Sequence, residues 1–195
     1  VSSESGSLYE LAEKLGIEVE RRQIADTKRT YTGLDDYATA HGIEGAVLAA
    51  AGWVDAGKVR DWNDGKEVYR HALKFPTKSG ERYRFIDGES ELPSYKPLQT
   101  GYKSCWYGLD KAIGIAQKTN QPLVICNGEI STITAQHYGV AACAITNGEK
   151  QLPPELLTEL QSKWTGKVIL TPDCDNTGRK TAKAIKEQVA NAVIV

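Results

Sequence analysis

The stretch that decides the fold is VILTPDCDNTGR, residues 168–179. Its first three residues are apolar and predict a buried strand, and the charged stretch that begins at Gly178 predicts a helix. Asp173 and Asp175 follow the strand one residue apart, so on an extended backbone their carboxylates point the same way and Cys174 points away. Two carboxylates at this end of a strand suit Mg²⁺. The alternative is a capped turn, in which Asp175 accepts backbone amides at the start of the helix.

Short apolar runs alternate with helical patterns from residue 122 onward. This alternation, at lengths that suit crossover units, predicts an α/β fold with a largely parallel sheet flanked by helices. Predicted strands span 123–126, 141–145, 168–170 and 192–195, and predicted helices span 131–138, 153–163 and 179–191.

Three loops would meet at the carboxyl edge of such a sheet, where ligands usually bind. They are residues 127–129, 146–149 and 173–176. Glycines in the first two loops let the backbone approach a ligand closely. We therefore expect the functional site at this edge.

The sequence upstream of residue 119 predicts a different mixture of helices and strands. It predicts a helix at 8–15, two helical pieces within 32–51, a loop bracketed by Trp53 and Trp62, a hairpin of 68–76 with 82–88, and a helix at 110–118. We divide the chain into a disordered tail at 1–7, a smaller mixed α+β basic subdomain at 8–118, and the α/β subdomain at 119–195.

The composition limits the classes of function. The chain has 195 residues, 41% of them apolar, and a net charge of -1, so attraction to nucleic acid must come from a local basic surface. The four cysteines form no CxxC pair, which predicts no zinc site and a reducing, cytoplasmic compartment. No apolar run is long enough to span a membrane. The chain begins at Val1 and has no Met, so we expect a piece of a larger protein.

The α/β half resembles a toprim domain. The resemblance rests on LVICNGE at 123–129 and VILTPDCDNTGRKTA at 168–182, and it covers residues 122–195. Toprim domains occur in bacterial-type DNA primases, in type IA and type II topoisomerases and in some nucleases. The resemblance implies that Asp173 and Asp175 bind Mg²⁺ or Mn²⁺, with Glu129 as a further ligand or general base.

The upstream half resembles the region that precedes toprim in primases of phage and plasmid origin. The motifs are LKFP at 73–76, GERYRF at 80–85, PSYK at 93–96 and KSCWYGL at 103–109. That region is a basic subdomain that binds template and nucleotide. The residues that the resemblance places on this nucleic-acid-binding surface are Arg82, Arg84, Lys96 and Lys103. Lys74 is expected to extend the basic stripe of Arg82 and Arg84, and Asn127 and Gly128 are expected to contact the nucleotide. Arg82 and Arg84 are one residue apart and share a strand face.

Two positions depart from the toprim pattern. Asn127 stands where the family has a Glu before Gly, and Ser131 stands where many members have an Asp. The missing Glu is the group usually credited with acid–base work or metal binding. Glu129, two residues later, could point into the same site. If it does not, the metal site keeps only Asp173 and Asp175.

The leading functional expectation is a DNA primase catalytic core, a nucleotidyltransferase that makes short primers on single-stranded DNA from NTPs. The expected setting is the cytoplasm of a prokaryotic cell or phage-infected host, with a helicase domain or protein as a further partner. One alternative is a toprim-type nuclease, which uses the same metal-ion mechanism for hydrolysis. The other is a catalytically silent toprim-like domain that binds nucleic acid, an alternative that Asn127 keeps open.

Overall fold

The computed structural model describes residues 29–89, 93–98, 100–147, 152–172 and 176–195. The predicted tail at 1–7 and helix at 8–15 therefore lie outside the described residues, as do Asp173 and Asp175. Within the described ranges the chain is an α/β protein with two sheets. No helix in these ranges is long and apolar enough to cross a membrane.

The first sheet is antiparallel and has the strand order β1-β2-β3-β4. Two short helices precede it, as the sequence predicts, and Gly42 between them has a φ of 76° that ends the first helix. The predicted hairpin is confirmed as β2 and β3. The elements are α1 (Leu34–Ala40), α2 (Gly45–Ala50), β1 (Val54–Asn63), β2 (Lys66–Thr77), β3 (Gly80–Phe85) and β4 (Tyr95–Pro97).

Strand β1 corrects the prediction of a loop between Trp53 and Trp62. It has 10 residues and pairs with β2 along its length, with one irregularity between Asp55 and Gly57. The turn that joins the two strands is Asp64-Gly65, with φ of 47° and 76°. Positive φ at both central positions defines the type I′ turn, whose twist matches that of the flanking strands.

The second sheet is mixed and has the order β5-β7-β6-β8-β9. Strands β6 to β9 pair in parallel, and β5 adds an antiparallel edge to β7. The predicted strands and helices are confirmed, although α4 and α6 begin two and three residues earlier than expected. The elements are β5 (Trp106–Tyr107), α3 (Leu109–Thr119), β6 (Leu123–Ile125), α4 (Glu129–His137), β7 (Ala142–Ile145), α5 (Pro154–Lys163), β8 (Val168–Leu170), α6 (Asn176–Gln188) and β9 (Ala192–Ile194).

The two halves share a buried aromatic cluster. Trp53 stacks on Phe75 with ring centroids 4.2 Å apart, and its indole Nε1 donates a hydrogen bond of 3.0 Å to the Tyr107 hydroxyl. Ile130 and Ile133 of α4 complete the same cluster. These contacts fix the first sheet against the N-terminal end of α4, which is what positions the candidate site. The domain division at residues 118 and 119 stays a prediction.

Two glycines give a matched test of how tightly the start of α3 packs against α4. Gly108 has a φ of 74°, and a Cβ there would lie 2.6 Å from Gln136 Nε2 and 2.8 Å from Thr132 Cγ2. We expect Gly108→Ala to lower the free energy of unfolding by about 1–3 kcal/mol. Gly114, inside α3, has nothing within 4 Å of an added Cβ, so Gly114→Ala should raise it by about 0.5–1 kcal/mol. Urea unfolding measures both, and shifts in the same direction would contradict the prediction.

Candidate functional site

The carboxyl ends of three parallel strands lie side by side at one edge of the second sheet. Beyond β6, the Cys126 amide donates a hydrogen bond of 2.9 Å to the Cys143 carbonyl of β7. Beyond β8, the Thr171 amide donates a hydrogen bond of 3.0 Å to the Ile125 carbonyl. The loops that follow these strands therefore start next to one another. The segment with Asp173 and Asp175 joins β8 to α6 and lies outside the described residues. Asn127 is exposed at this edge and Gly128 is half-buried.

Glu129 joins this edge to the first sheet. It is the first residue of α4, where the helix dipole favours a negative charge. Its Oε1 accepts a hydrogen bond of 2.5 Å from Arg82 Nη1 of β3, and the two side chains are 4% and 5% exposed. Burial raises the pKa of the Glu129 carboxyl above its usual value, and the charge on Arg82 opposes that rise. The pair is thus a buried ion pair that bridges the two sheets.

Arg84 lies beside this pair without a carboxylate of its own. It is half-buried, and within the described residues it forms no ion pair. Its guanidinium carbon lies 4.5 Å from the Tyr95 ring centroid, and that of Arg82 lies 5.1 Å from the same ring. Two cations and one anion therefore share this aromatic pocket, which we call the arginine–tyrosine cluster (Arg82, Arg84, Tyr37, Tyr95 and Glu129). It has an excess of positive charge.

The arginine–tyrosine cluster also holds unused hydrogen-bonding capacity. In the described part of the chain, the Nε atoms of Arg82 and Arg84 are buried and have no hydrogen-bond partner, and the buried Tyr37 hydroxyl lies close to Arg84 and Tyr95. Burial raises the pKa of the Tyr37 hydroxyl, so it stays neutral and can donate. Buried polar atoms without a partner are uncommon and call for an explanation. An anion would satisfy both the charge and these donors.

The other predicted basic residues lie elsewhere. The strand register pairs Arg82 with Phe75 and Arg84 with Leu73, so the even-numbered Lys74 of β2 lies on the opposite face. The expected stripe of Lys74 with the two arginines is therefore not formed. Lys74 Nζ lies 3.0 Å from Glu81 instead.

Lys96 also belongs to this opposite face, because Tyr83 is paired with it and with Lys74. Its Nζ lies 2.5 Å from Asp61 Oδ1. Lys103 is exposed, in the segment that leads into β5. Of the predicted basic residues, the structure thus brings only Arg82 and Arg84 to Glu129.

The aromatic half of the cluster was not predicted from the sequence. Tyr37 and Tyr95 lie 58 positions apart in the chain, and no local pattern marks them as neighbours of the arginines. The pairing of Arg82 with Glu129 spans 47 residues and depends on how the sheets meet. The spacing of Arg82 and Arg84 was the one available signal, since it places both on one face.

Comparison with known proteins identifies no family for this chain. No protein-family model matches the chain, and no curated protein matches it significantly. Within the described residues no group of three or more His, Cys, Asp and Glu side chains is placed to hold a metal ion. The carboxylates predicted for the metal, Asp173, Asp175 and Glu129, are hard oxygen donors, and their chemistry fits Mg²⁺ or Mn²⁺.

Proposed function

We propose that this chain is the catalytic core of a toprim-type DNA primase, a nucleotidyltransferase that extends primers on single-stranded DNA from NTPs. The observation that carries the proposal is the arginine–tyrosine cluster beside the carboxyl edge of the parallel strands. There an excess positive charge and unpaired donors lie next to the carboxylate of Glu129. A polyphosphate needs cationic donors, and its metal ion needs carboxylates. The proposed setting is the cytoplasm of a prokaryotic cell or phage-infected host, with a helicase domain or protein as a partner.

The residues divide the work between them. Arg84 offers its guanidinium to phosphate oxygens, since a planar fork matches phosphate geometry. Glu129 holds Arg82 in one orientation and limits the positive charge of the cluster. Asp173 and Asp175 would hold Mg²⁺ or Mn²⁺, with Glu129 in the same set. When bound, the metal would neutralise charge on the transferred phosphoryl group and activate the attacking hydroxyl.

The Glu129–Arg82 pair also favours a second candidate function. A carboxylate that is buried and already bonded to an arginine is less available to a metal ion, and Asn127 supplies no carboxylate. On this alternative the chain is a catalytically silent toprim-like domain that binds nucleic acid or a nucleotide. A toprim-type nuclease is the third possibility that the acidic edge allows.

One incubation separates the three functions. The chain is mixed with single-stranded template, labelled NTPs and Mg²⁺ or Mn²⁺, and the products are resolved on a denaturing gel. Extended products support the primase, shortened template supports the nuclease, and binding without either product supports the silent domain. The last two outcomes would contradict the proposal.

Arg84 gives a direct test of phosphate recognition. Arg84→Met should weaken binding of an NTP by roughly 10-fold or more, because a charge-assisted hydrogen bond is lost. Arg84→Lys should fall between, since a lysine keeps the charge without the fork. Isothermal titration measures the affinities. Lys74→Met, on the opposite face of the same sheet, is the matched control, and an equal loss there or unchanged affinity in R84M would refute the role of Arg84.

A further inference from the structure

The β1–β2 hairpin displays two aromatic side chains to solvent. Trp62 is 55% exposed and Tyr69 is 64% exposed, whereas Trp53 and Trp106 are buried at 0% and 1%. The register pairs Trp62 with Glu67 and Tyr69 with Arg60. Paired residues point to the same side of an antiparallel sheet, so both rings share one face of the hairpin. Large exposed rings cost solvation free energy and often mark a binding surface.

Two cationic side chains lie on the same face as these rings. Arg60 lies directly opposite Tyr69, and its guanidinium carbon lies 5.9 Å from the Trp62 ring centroid. Lys58 belongs to the same face, two residues before Arg60. Glu67 is the carboxylate of this set, 3.8 Å from Arg60. We call this surface the hairpin face, defined by Lys58, Arg60, Trp62, Glu67 and Tyr69.

The composition of the hairpin face favours one kind of partner. The cores of protein–protein interfaces are depleted of Lys and Glu, whereas Lys58 and Glu67 belong to this face. Single-stranded nucleic acid has the matching pattern of flat bases and charged phosphates. In a duplex the faces of the bases are already stacked and cannot reach the rings. Aromatic rings interleaved with cations therefore fit a single strand best.

The hairpin face also leads toward the candidate site. Tyr69 and Leu73 lie on the same side of β2, four residues or about 13 Å apart. Leu73 is paired in register with Arg84 of the arginine–tyrosine cluster. One face of the sheet thus carries the exposed rings at one end and the cluster at the other.

We propose that the hairpin face binds single-stranded nucleic acid, with bases stacked on Trp62 and Tyr69 and backbone phosphates contacting Lys58 and Arg60. Naming that strand as the template rests on the proposed function. The binding itself requires neither NTP nor metal, so it is testable apart from catalysis. The sheet register holds the two rings on one rigid surface, which limits the entropy lost on binding.

The test measures affinity for a labelled oligothymidylate of about 15 nucleotides by fluorescence anisotropy, without NTP or metal. We expect W62A and Y69A each to weaken binding roughly fivefold or more. W62F keeps a ring and should retain most of the affinity, whereas W62L should not. Tyr138, 67% exposed at the end of α4, provides the control variant Y138A. Circular dichroism and thermal midpoints show that each variant folds.

The outcomes separate this inference from the proposed function. Wild-type affinity in W62A and Y69A, or an equal loss in Y138A, would overturn the hairpin face and leave the primase proposal standing. Wild-type affinity in W62L would indicate a simple apolar contact and would also overturn it. Loss in the hairpin variants of a chain that makes no primers would support the hairpin face and contradict the primase. A wild-type chain that binds no single strand would overturn both.

Discussion

Primer synthesis is expected to fall on the order of 100-fold or more in Asp173→Asn and in Asp175→Asn. A metal held by these carboxylates would contribute several kcal/mol of transition-state stabilisation, and each 1.36 kcal/mol is about a tenfold change in rate. An amide keeps the size of the side chain and removes the charge that would hold the ion. The measurement is the initial rate of labelled NTP incorporation on a single-stranded template across a Mg²⁺ titration.

The sequence provides an internal control for these variants. Cys174 stands between the two aspartates, and the alternation expected of an extended backbone predicts that its side chain points away from theirs. Cys174→Ser should therefore keep wild-type activity, and all three variants should match the wild type in their affinity for single-stranded DNA without metal. Unchanged incorporation in D173N and D175N would remove the metal role. It would leave the capped turn, with Asp175 accepting backbone amides, as the explanation of the motif.

The parallel half of the fold was predictable because its strands are short and apolar, and β6, β7 and β8 are largely buried. Val168–Leu170 is bounded by polar residues, pairs with β6 at one edge and with β9 at the other, and has only buried or half-buried side chains. Helix α4 begins earlier than its sequence pattern suggests, because Gly128 is the N-cap residue with a φ of 85° and Glu129 is the first residue of the helix. The edge where the loops meet follows from parallel pairing alone.

Strand β1 was missed for a specific physical reason. Its inward position at Asp61 is a carboxylate rather than an apolar residue, so the two-residue alternation of a strand is hidden. Asp61 is 6% exposed because Lys96 and Arg70 lie 2.5 and 3.6 Å away. These charges hold the pKa of its carboxyl below the usual value, although burial alone would raise it. The Asp64-Gly65 dipeptide, a strong hairpin signal, was the available clue.

The candidate site could be predicted only in part. One-residue spacing places Arg82 and Arg84 on a common face, but their environments differ because only Arg82 reaches Glu129. That difference arises from the packing of two sheets and leaves no trace in local sequence. The proposed function depends on it, since the neutralised arginine would orient the cluster while Arg84 would keep its charge for a ligand.

Breaking the buried pair is expected to lower stability more than either of the glycine substitutions considered above. Arg82→Met should lower the free energy of unfolding by about 3–5 kcal/mol, because the buried Glu129 carboxylate loses its hydrogen-bonded counterion and keeps only the weaker influence of Arg84. The double variant R82M/E129Q should lose less than R82M, since an uncharged pair is cheaper to bury than one unpaired charge. Urea unfolding of R82M, E129Q and the double variant forms a complete cycle.

The pH dependence identifies the carboxylate as the cause. Burial already raises the pKa of Glu129 above 4.5 in the folded chain, and removing Arg82 takes away the larger of the two positive charges that oppose the rise. A carboxyl with a raised folded-state pKa binds more protons when folded, so stability declines as pH rises from its unfolded pKa through its folded pKa. The loss in R82M should therefore be small near pH 4 and grow toward neutral pH, with no such trend for R82M/E129Q. A loss in R82M that is the same at every pH would mean that the arginine acts through packing alone.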